Sequence, residues 1–239
     1  MIRTATPTEL AAFAPTTAVG HKIKGLFLAY GAGFAFLPFW TDEQGGFGAC
    51  LSGCALIDAG AQTAAEWACF LQMLPTAQTA ETTAAVAENT PAFVFESRPV
   101  LTLPPSEGAE IAPPLDKVYA LEKAVFGDTM PPFDEWYADM SHRLRHGCGK
   151  AAGIYEGETL AGTALVTLTD DAVGIVGGVA TAPQSRGKGY ARRTVSALAH
   201  ALQREGKQAL IVPKNAHADT LYRRWGATQT DTLYCGERV

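Results

Sequence analysis

Apolar residues along this chain recur in two distinct spacings. Helical spacing links Ile23, Leu26, Phe27 and Tyr30, then Trp67, Phe70, Leu71 and Leu74. It returns at Val118, Leu121 and Val125, at Phe133, Trp136, Tyr137, Met140 and Leu144, and at Ala191, Val195, Leu198 and Leu202. These stripes predict helices over 21–30, 63–74, 115–126, 133–146 and 191–205. A shorter helix follows Asn215, with Ala218, Leu221 or Tyr222, and Trp225 inward. Thr63 and Glu66 have the spacing of a capping box, Pro75 ends that helix, and Gly206 ends the 191–205 helix.

Short apolar or alternating runs predict strands at 34–40 (near an edge, because of Pro38), one or two between Phe47 and Ile57, and 93–103. Three more, at 151–155, 160–169 and 173–181, are separated by short polar turns and read as a meander of hairpins. Strands at 209–212 and 228–235 complete the set. Residues 76–91 are rich in Thr and Ala without a period, and read as loop or a frayed strand.

Pro104 to Pro114 is the one obvious linker, which puts a boundary near residue 106. Residues 1–106 form an α+β lobe and residues 107–239 a second domain. The order of elements in the lobe loosely echoes that of the second half. Two readings stay open, a degenerate repeat and an unrelated α+β cap.

The chain is long enough for two small domains or one large one, and 47% hydrophobic against 18% charged residues suits a buried core. No apolar run reaches the length of a membrane helix, and the first residues lack a signal-peptide core. A cytoplasmic protein with no membrane partner is expected. Five cysteines in mostly apolar surroundings suit reduced thiols, and Cys50 and Cys54, four apart, have no second ligand pair, so a zinc site is not expected. Residues 1–108 hold four Lys/Arg against nine Asp/Glu, which argues against a nucleic-acid partner. Oligomeric state is left open, a homodimer included.

The stretch from Gly174 to Ala191, GIVGGVATAPQSRGKGYA, carries the chemistry. A strand stops at Pro183, a loop with Gly187 and Gly189 follows, and a helix starts near Tyr190. Such a loop leaves backbone N–H groups free at the positive end of a helix, which favours phosphate. Arg186, Lys188, Arg192 and Arg193 add four positive charges within eight residues. A Walker loop would need glycine at Ala182 and Ser/Thr at Gly189, and a dinucleotide fingerprint would need a small residue at Arg192. The bland reading is a glycine turn beside surface arginines.

At these residues the chain resembles the GNAT superfamily of N-acetyltransferases, whose acetyl-CoA motif is Gln/Arg-x-x-Gly-x-Gly/Ala. Gln184, Gly187 and Gly189 fill its fixed positions. NAHADTLYRRWGA, with Asn215, Ala218, Leu221, Tyr222 and Gly226, is similar to the family's closing motif, with Ala227 in place of the usual aromatic. The resemblance covers 109–239 and hardly touches the first half. It implies the GNAT acyl-CoA-binding fold, a mixed, mostly antiparallel α/β (α+β) sheet flanked by helices, with 115–126 and 133–146 walling the acceptor site. The family usually has two strands after the last helix, so one is missing or supplied from elsewhere.

The resemblance also implies the reaction, direct transfer from acetyl-CoA to a primary amine without a metal. Gln184, Ser185, Arg186, Gly187, Lys188, Gly189, Tyr190 and Ala191 would hold the pyrophosphate. Val179, Ala180 and Thr181 would line the pantetheine arm and offer an N–H to the thioester oxygen. Asn215 would bond the pantetheine, beside its plain role as helix cap. Tyr222 would protonate the leaving thiolate, the alternative being a core tyrosine. No Asp or Glu stands between Ala172 and Thr181, so the base stays open. Glu122, Glu135 and Asp139 are candidates, each also readable as a solvated surface charge. His142 and His146 read as exposed histidines. The rival function is a CoA-binding sensor or scaffold without turnover.

Overall fold

The computed structural model describes residues 1–105 and 112–239; residues 106–111, the middle of the expected linker, lie outside the described residues. The chain forms two compact units, Met1–Val100 with Gln229–Val239, and Leu101–Thr228. One cut near residue 106 therefore does not describe the structure. The last strand belongs to the first unit, and residues 101–105 belong to the second.

The first unit contains β1 (Arg3–Thr4), α1 (Pro7–Ala12), α2 (Ala18–Tyr30), β2 (Phe39–Thr41), β3 (Phe47–Leu51) and β4 (Cys54–Asp58). Then come α3 (Ala64–Met73), β5 (Thr79–Thr82), α4 (Ala84–Glu88) and β6 (Phe93–Thr102), with β11 (Thr228–Arg238) from the far end of the chain. Strand order is β1-β2-β3-β4-β5-β11-β6. Neighbours from β1 to β4 run antiparallel, β4 and β5 run parallel across α3, and β11 is antiparallel to β5.

Three local expectations fail here. Residues 34–38 are not strand: Leu37 N–H closes a turn on Phe34, and Phe34 and Phe36 pack on each other with ring centroids 5.4 Å apart. Residues 76–91 do form elements, β5 and α4, because β5 gains partners on both sides that no local pattern reveals. Thr63 caps no backbone group of α3. Its hydroxyl bonds Asp42 instead, and Glu66 accepts the Ile2 N–H at 3.0 Å. Asp42 also accepts the indole N–H of the fully buried Trp67 at 2.7 Å, so a buried carboxylate outcompetes the cap.

The second unit contains α5 (Leu115–Phe126), α6 (Phe133–Arg145), β7 (Lys150–Glu156), β8 (Thr159–Thr169) and β9 (Val173–Thr181). It continues with α7 (Tyr190–Arg204), β10 (Gln208–Ile211) and α8 (Ala216–Arg224). In chain order the succession of two helices, three strands, helix, strand, helix, strand is thus run through twice, the second time with β11 last. β7, β8 and β9 pair antiparallel as the meander requires, and β9 and β10 pair parallel across α7. The strand beyond β10 is the end of β6, Leu101 and Thr102 opposite Ile211 and Leu210, antiparallel. That segment supplies the strand missing after α8.

Each unit is a mixed α/β structure on an open, mostly antiparallel sheet flanked by helices. Successive strand residues face opposite sides. In the second unit Ala152, Ala164, Val166 and Val176 therefore meet Val195, Leu198 and Leu202 of α7. Ala151, Leu165 and Ala180 meet Val118 and Leu121 of α5 and Trp136 and Met140 of α6. Burying one such leucine stabilises by roughly 1.5–3 kcal/mol.

Candidate active site

A cavity of 740 Å³ opens in the second unit where β9 and β10 part. Their parallel pairing stops at Val176 and Ile211, yet β9 runs on to Thr181. Just past the last pair, β9 bulges against β8: Leu165 faces Gly177 and Thr163 faces Ala180, so Gly178 and Val179 share the single partner position of Ala164. A bulge bends its strand and re-aims side chains. Val179 and Thr181 consequently line the cavity, while Ala180 points into the core at 1% exposure.

The cavity's mouth is the glycine loop. Gly187 and Gly189 have φ of 79° and 78°, left-handed values that favour glycine, and a Cβ at either would meet nothing within 4 Å. Backbone conformation, rather than crowding, selects glycine here. Gly189 is the N-cap of α7 and brings no capping side chain. Arg193 N–H makes an early helical bond to the Gly189 carbonyl at 3.1 Å. The N–H groups of the preceding turn have no intrahelical acceptor and point towards the cavity end of α7. Gly162 permits the approach of Tyr190, whose Cβ would stand 2.9 Å from a Cβ on residue 162.

The four cations divide. Arg186 and Arg192 line the cavity. Lys188 is engaged by Glu156 at 2.7 Å, and the bond raises the lysine's pKa while lowering that of Glu156. Glu156 also accepts bonds from the side chains of Tyr190 and Ser185, so one carboxylate at the end of β7 pins the loop at three points. Arg193 stacks over the Tyr190 ring, 5.9 Å from its centroid. Lys188 and Arg193 thus shape the loop, and Gln184 and Ser185 do not line the cavity. Gly187, Gly189, Tyr190 and Ala191 do.

The opposite wall is α8. Asn215 caps it, its Oδ1 accepting the Ala218 N–H at 2.9 Å, and it lines the cavity as well. Tyr222, one face of its ring against Trp225 (5.3 Å, edge-on), is 7% exposed, and burial pushes its phenol up to about 12. It therefore enters the cavity as a proton-bearing hydroxyl. Leu221, His217 and Trp225 complete this wall.

Among the candidate bases, Glu135 is exposed, and Asp139 is held by Arg143 at 2.7 Å. Glu122 is not a surface charge: it is 2% exposed, and its Oε1 has no hydrogen-bond partner. Burial alone pushes its carboxyl up to about 8. His142 and His146 stack at 4.0 Å, with His146 Nδ1 2.8 Å from the His142 carbonyl oxygen, and no metal-ligand cluster occurs among the described residues.

The GNAT acetyltransferase family description matches residues 115–227, which span α5 to the end of α8. Over these residues, a little under half of the chain, the sequence is similar to that family. No curated protein matches the chain in sequence. Solved structures resemble it over nearly its whole length. A GCN5-related N-acetyltransferase from Sphaerobacter thermophilus aligns with a TM-score of 0.64 at 14% identity, covering 100% of this chain and 95% of the other. One from Kribbella flavida gives 0.59 at 18%, covering 92% and 93%. A tandem GNAT protein from the clavulanic acid biosynthesis pathway gives 0.57 at 15%, covering 97% and 92%. At these identities the likeness is one of fold.

Proposed function

We propose that the second unit is an N-acetyltransferase that binds acetyl-CoA and passes its acetyl group directly to a primary amine. One observation carries this reading. The left-handed glycines, the first turn of α7, two arginines and a proton-bearing tyrosine all face one cavity. The glycine loop and α7 suit a pyrophosphate, Arg186 and Arg192 supplying charge. The bulged end of β9 and Asn215 suit the pantetheine arm. An N–H of β9 would stabilise the oxyanion as the amine attacks the thioester carbon. As the C–S bond breaks, Tyr222 gives its proton to the thiolate.

The first unit lacks these parts. β4 and β5 stay paired over four positions to Ile57 and Thr82, one residue before β4 ends, so no cleft opens between them. Lys and Arg are absent from residues 25–97. One acetyl-CoA per chain follows. Five free cysteines suit a reducing compartment such as the cytoplasm. The test is release of free thiol from acetyl-CoA with a panel of primary amines, the products being weighed by mass spectrometry. Amine-dependent release with acetylated product supports the enzyme. Binding of acetyl-CoA without release from any amine would favour the sensor.

A further inference from the structure

Glu122 is a buried carboxyl for which the fold offers no partner. It lies on α5 between Val118, four residues before, and Val125, three residues after, in the middle of the stripe that faces the sheet. Buried carboxylates are ordinarily paired or hydrogen-bonded, because an unpaired one costs several kcal/mol in a dry interior. Here Oε1 has no partner at all.

The surroundings supply no cation. β8 and β9, which pack on α5, carry no ionisable side chain between Thr159 and Thr169 or between Val173 and Thr181. From α6 the one buried charge is Arg143, already held by Asp139 at 2.7 Å and by the Thr167 carbonyl oxygen at 2.9 Å. Asp134, Glu135, Tyr137, His142 and Arg145 are the other ionisable groups of α6. On α5 itself Lys123 pairs with Asp128 of the following turn at 3.4 Å, and Lys117 reaches the Glu158 carbonyl oxygen at 3.2 Å. Asp116 and Tyr119 are the remaining ionisable groups of that helix, and the Tyr119 hydroxyl donates to the Pro131 carbonyl oxygen at 2.8 Å. The raised carboxyl of Glu122 has burial as its sole cause.

A second feature, independent of the first, points the same way. The strand makes room for this carboxyl at the bulge. Gly178 has φ of 57°, and a Cβ on it would stand 2.1 Å from Glu122 Oε1 and 3.0 Å from Leu165 Cδ1. The next residue, Val179, lines the cavity, as does Val125 one turn along α5 from Glu122. The orphan oxygen thus lies just behind the wall where the arm of the acyl donor would run. It approaches from the α5 side, across β9 from α7.

We propose that Glu122 is the proton acceptor for the amine, so that the second substrate is a cationic primary amine that enters beside the β9 bulge. This rests on the acetyl-CoA reading above. The ammonium gives one proton to the Glu122 carboxylate, directly or through one water, and becomes a neutral amine. The amine's lone pair forms the C–N bond at the thioester carbon. The C–S bond then breaks, and the sulfur takes its proton from Tyr222. The amide nitrogen loses its extra proton to the resulting phenolate, and Glu122 releases its own proton to solvent with the product. A carboxyl poised near neutrality suits this exchange, since proton transfer to it costs little at the working pH.

The experiment compares wild type with Glu122→Gln, which keeps the shape, and Glu122→Asp, which keeps the acid but withdraws it. Each is measured for thermal shift on acetyl-CoA and for kcat/KM against pH with the best amine of the panel. Expected are an unchanged thermal shift and a loss in kcat/KM of about 10²–10⁴-fold in Glu122→Gln. The wild-type rate should climb with pH through a limb near 8, absent in Glu122→Gln and partly restored in Glu122→Asp. Turnover in Glu122→Gln within threefold of wild type, with the same pH limb, overturns the assignment and leaves the acetyltransferase reading intact. A wild type that neither shifts with acetyl-CoA nor releases thiol with any amine removes that reading, and this proposal with it.

Discussion

Glu122 and Gly178 occupy each other's space: the carboxyl oxygen of the first fills the volume that any side chain on the second would need. Gly178→Ala should therefore cost twice, about 1–2 kcal/mol for the left-handed backbone and more for displacing the carboxyl. In a Glu122→Ala background the second cost disappears. Chemical denaturation of the four proteins should give a coupling of at least about 1 kcal/mol. Strict additivity would mean that the two groups do not touch.

Glu122 also makes stability depend on pH. Its carboxyl sits at about 8 in the folded chain against an ordinary 4.5, so the native state keeps a proton that the unfolded chain gives up. Stability from this source is present below pH 4.5 and is lost as pH rises through 8. Glu122→Gln removes the dependence. Its stability advantage over wild type, read as a difference in Tm, should be small at pH 5 and largest above pH 8, with a ceiling of about 5 kcal/mol in free energy. A Tm difference that shrinks as pH rises would show the carboxyl to be ionised in the fold.

Tyr222→Phe keeps the ring against Trp225 and removes only a hydroxyl that holds its proton up to about 12. Stability and acetyl-CoA affinity should hardly change, while turnover falls by about 10²–10⁴-fold. Single-turnover kinetics check this. An unchanged chemical step would assign the thiolate's proton to water.

Residues 107–239 expressed alone lack Leu101 and Thr102, which pair with β10, and leave β11 without β5. Two unpaired strand edges invite aggregation. The fragment should be insoluble or unfolded by circular dichroism, and a soluble, cooperatively melting fragment would show both pairings to be dispensable.

What the sequence disclosed and what it hid follow one division. The glycine loop and the Asn215 cap were legible because their geometry is set by a few consecutive residues. The stripes on α5, α6 and α7 were legible because one face of each is apolar throughout. Glu122 stood among the candidate bases, but its burial was hidden although its position is in the stripe: four after Val118 and three before Val125 is a core position, and a carboxylate there reads by habit as surface. Its burial depends on β9 giving up a side chain at Gly178, 56 residues further along the chain. The failed cap at Thr63 depends likewise on Asp42, and the exchange of strand partners by β6 and β11 leaves no local trace.

Calorimetric titration with acetyl-CoA is the most direct test of the site. Wild type should bind one equivalent per chain, and a ligand concentration of about a hundred times Kd should stabilise it by roughly 2.7 kcal/mol. In Gly189→Glu a carboxylate would stand at the mouth of the phosphate cradle, on a left-handed backbone, and both heat and stabilisation should vanish while the apo protein still melts cooperatively. Two equivalents in wild type, or undiminished binding in Gly189→Glu, would contradict the assignment of a single acetyl-CoA site to the N-terminus of α7.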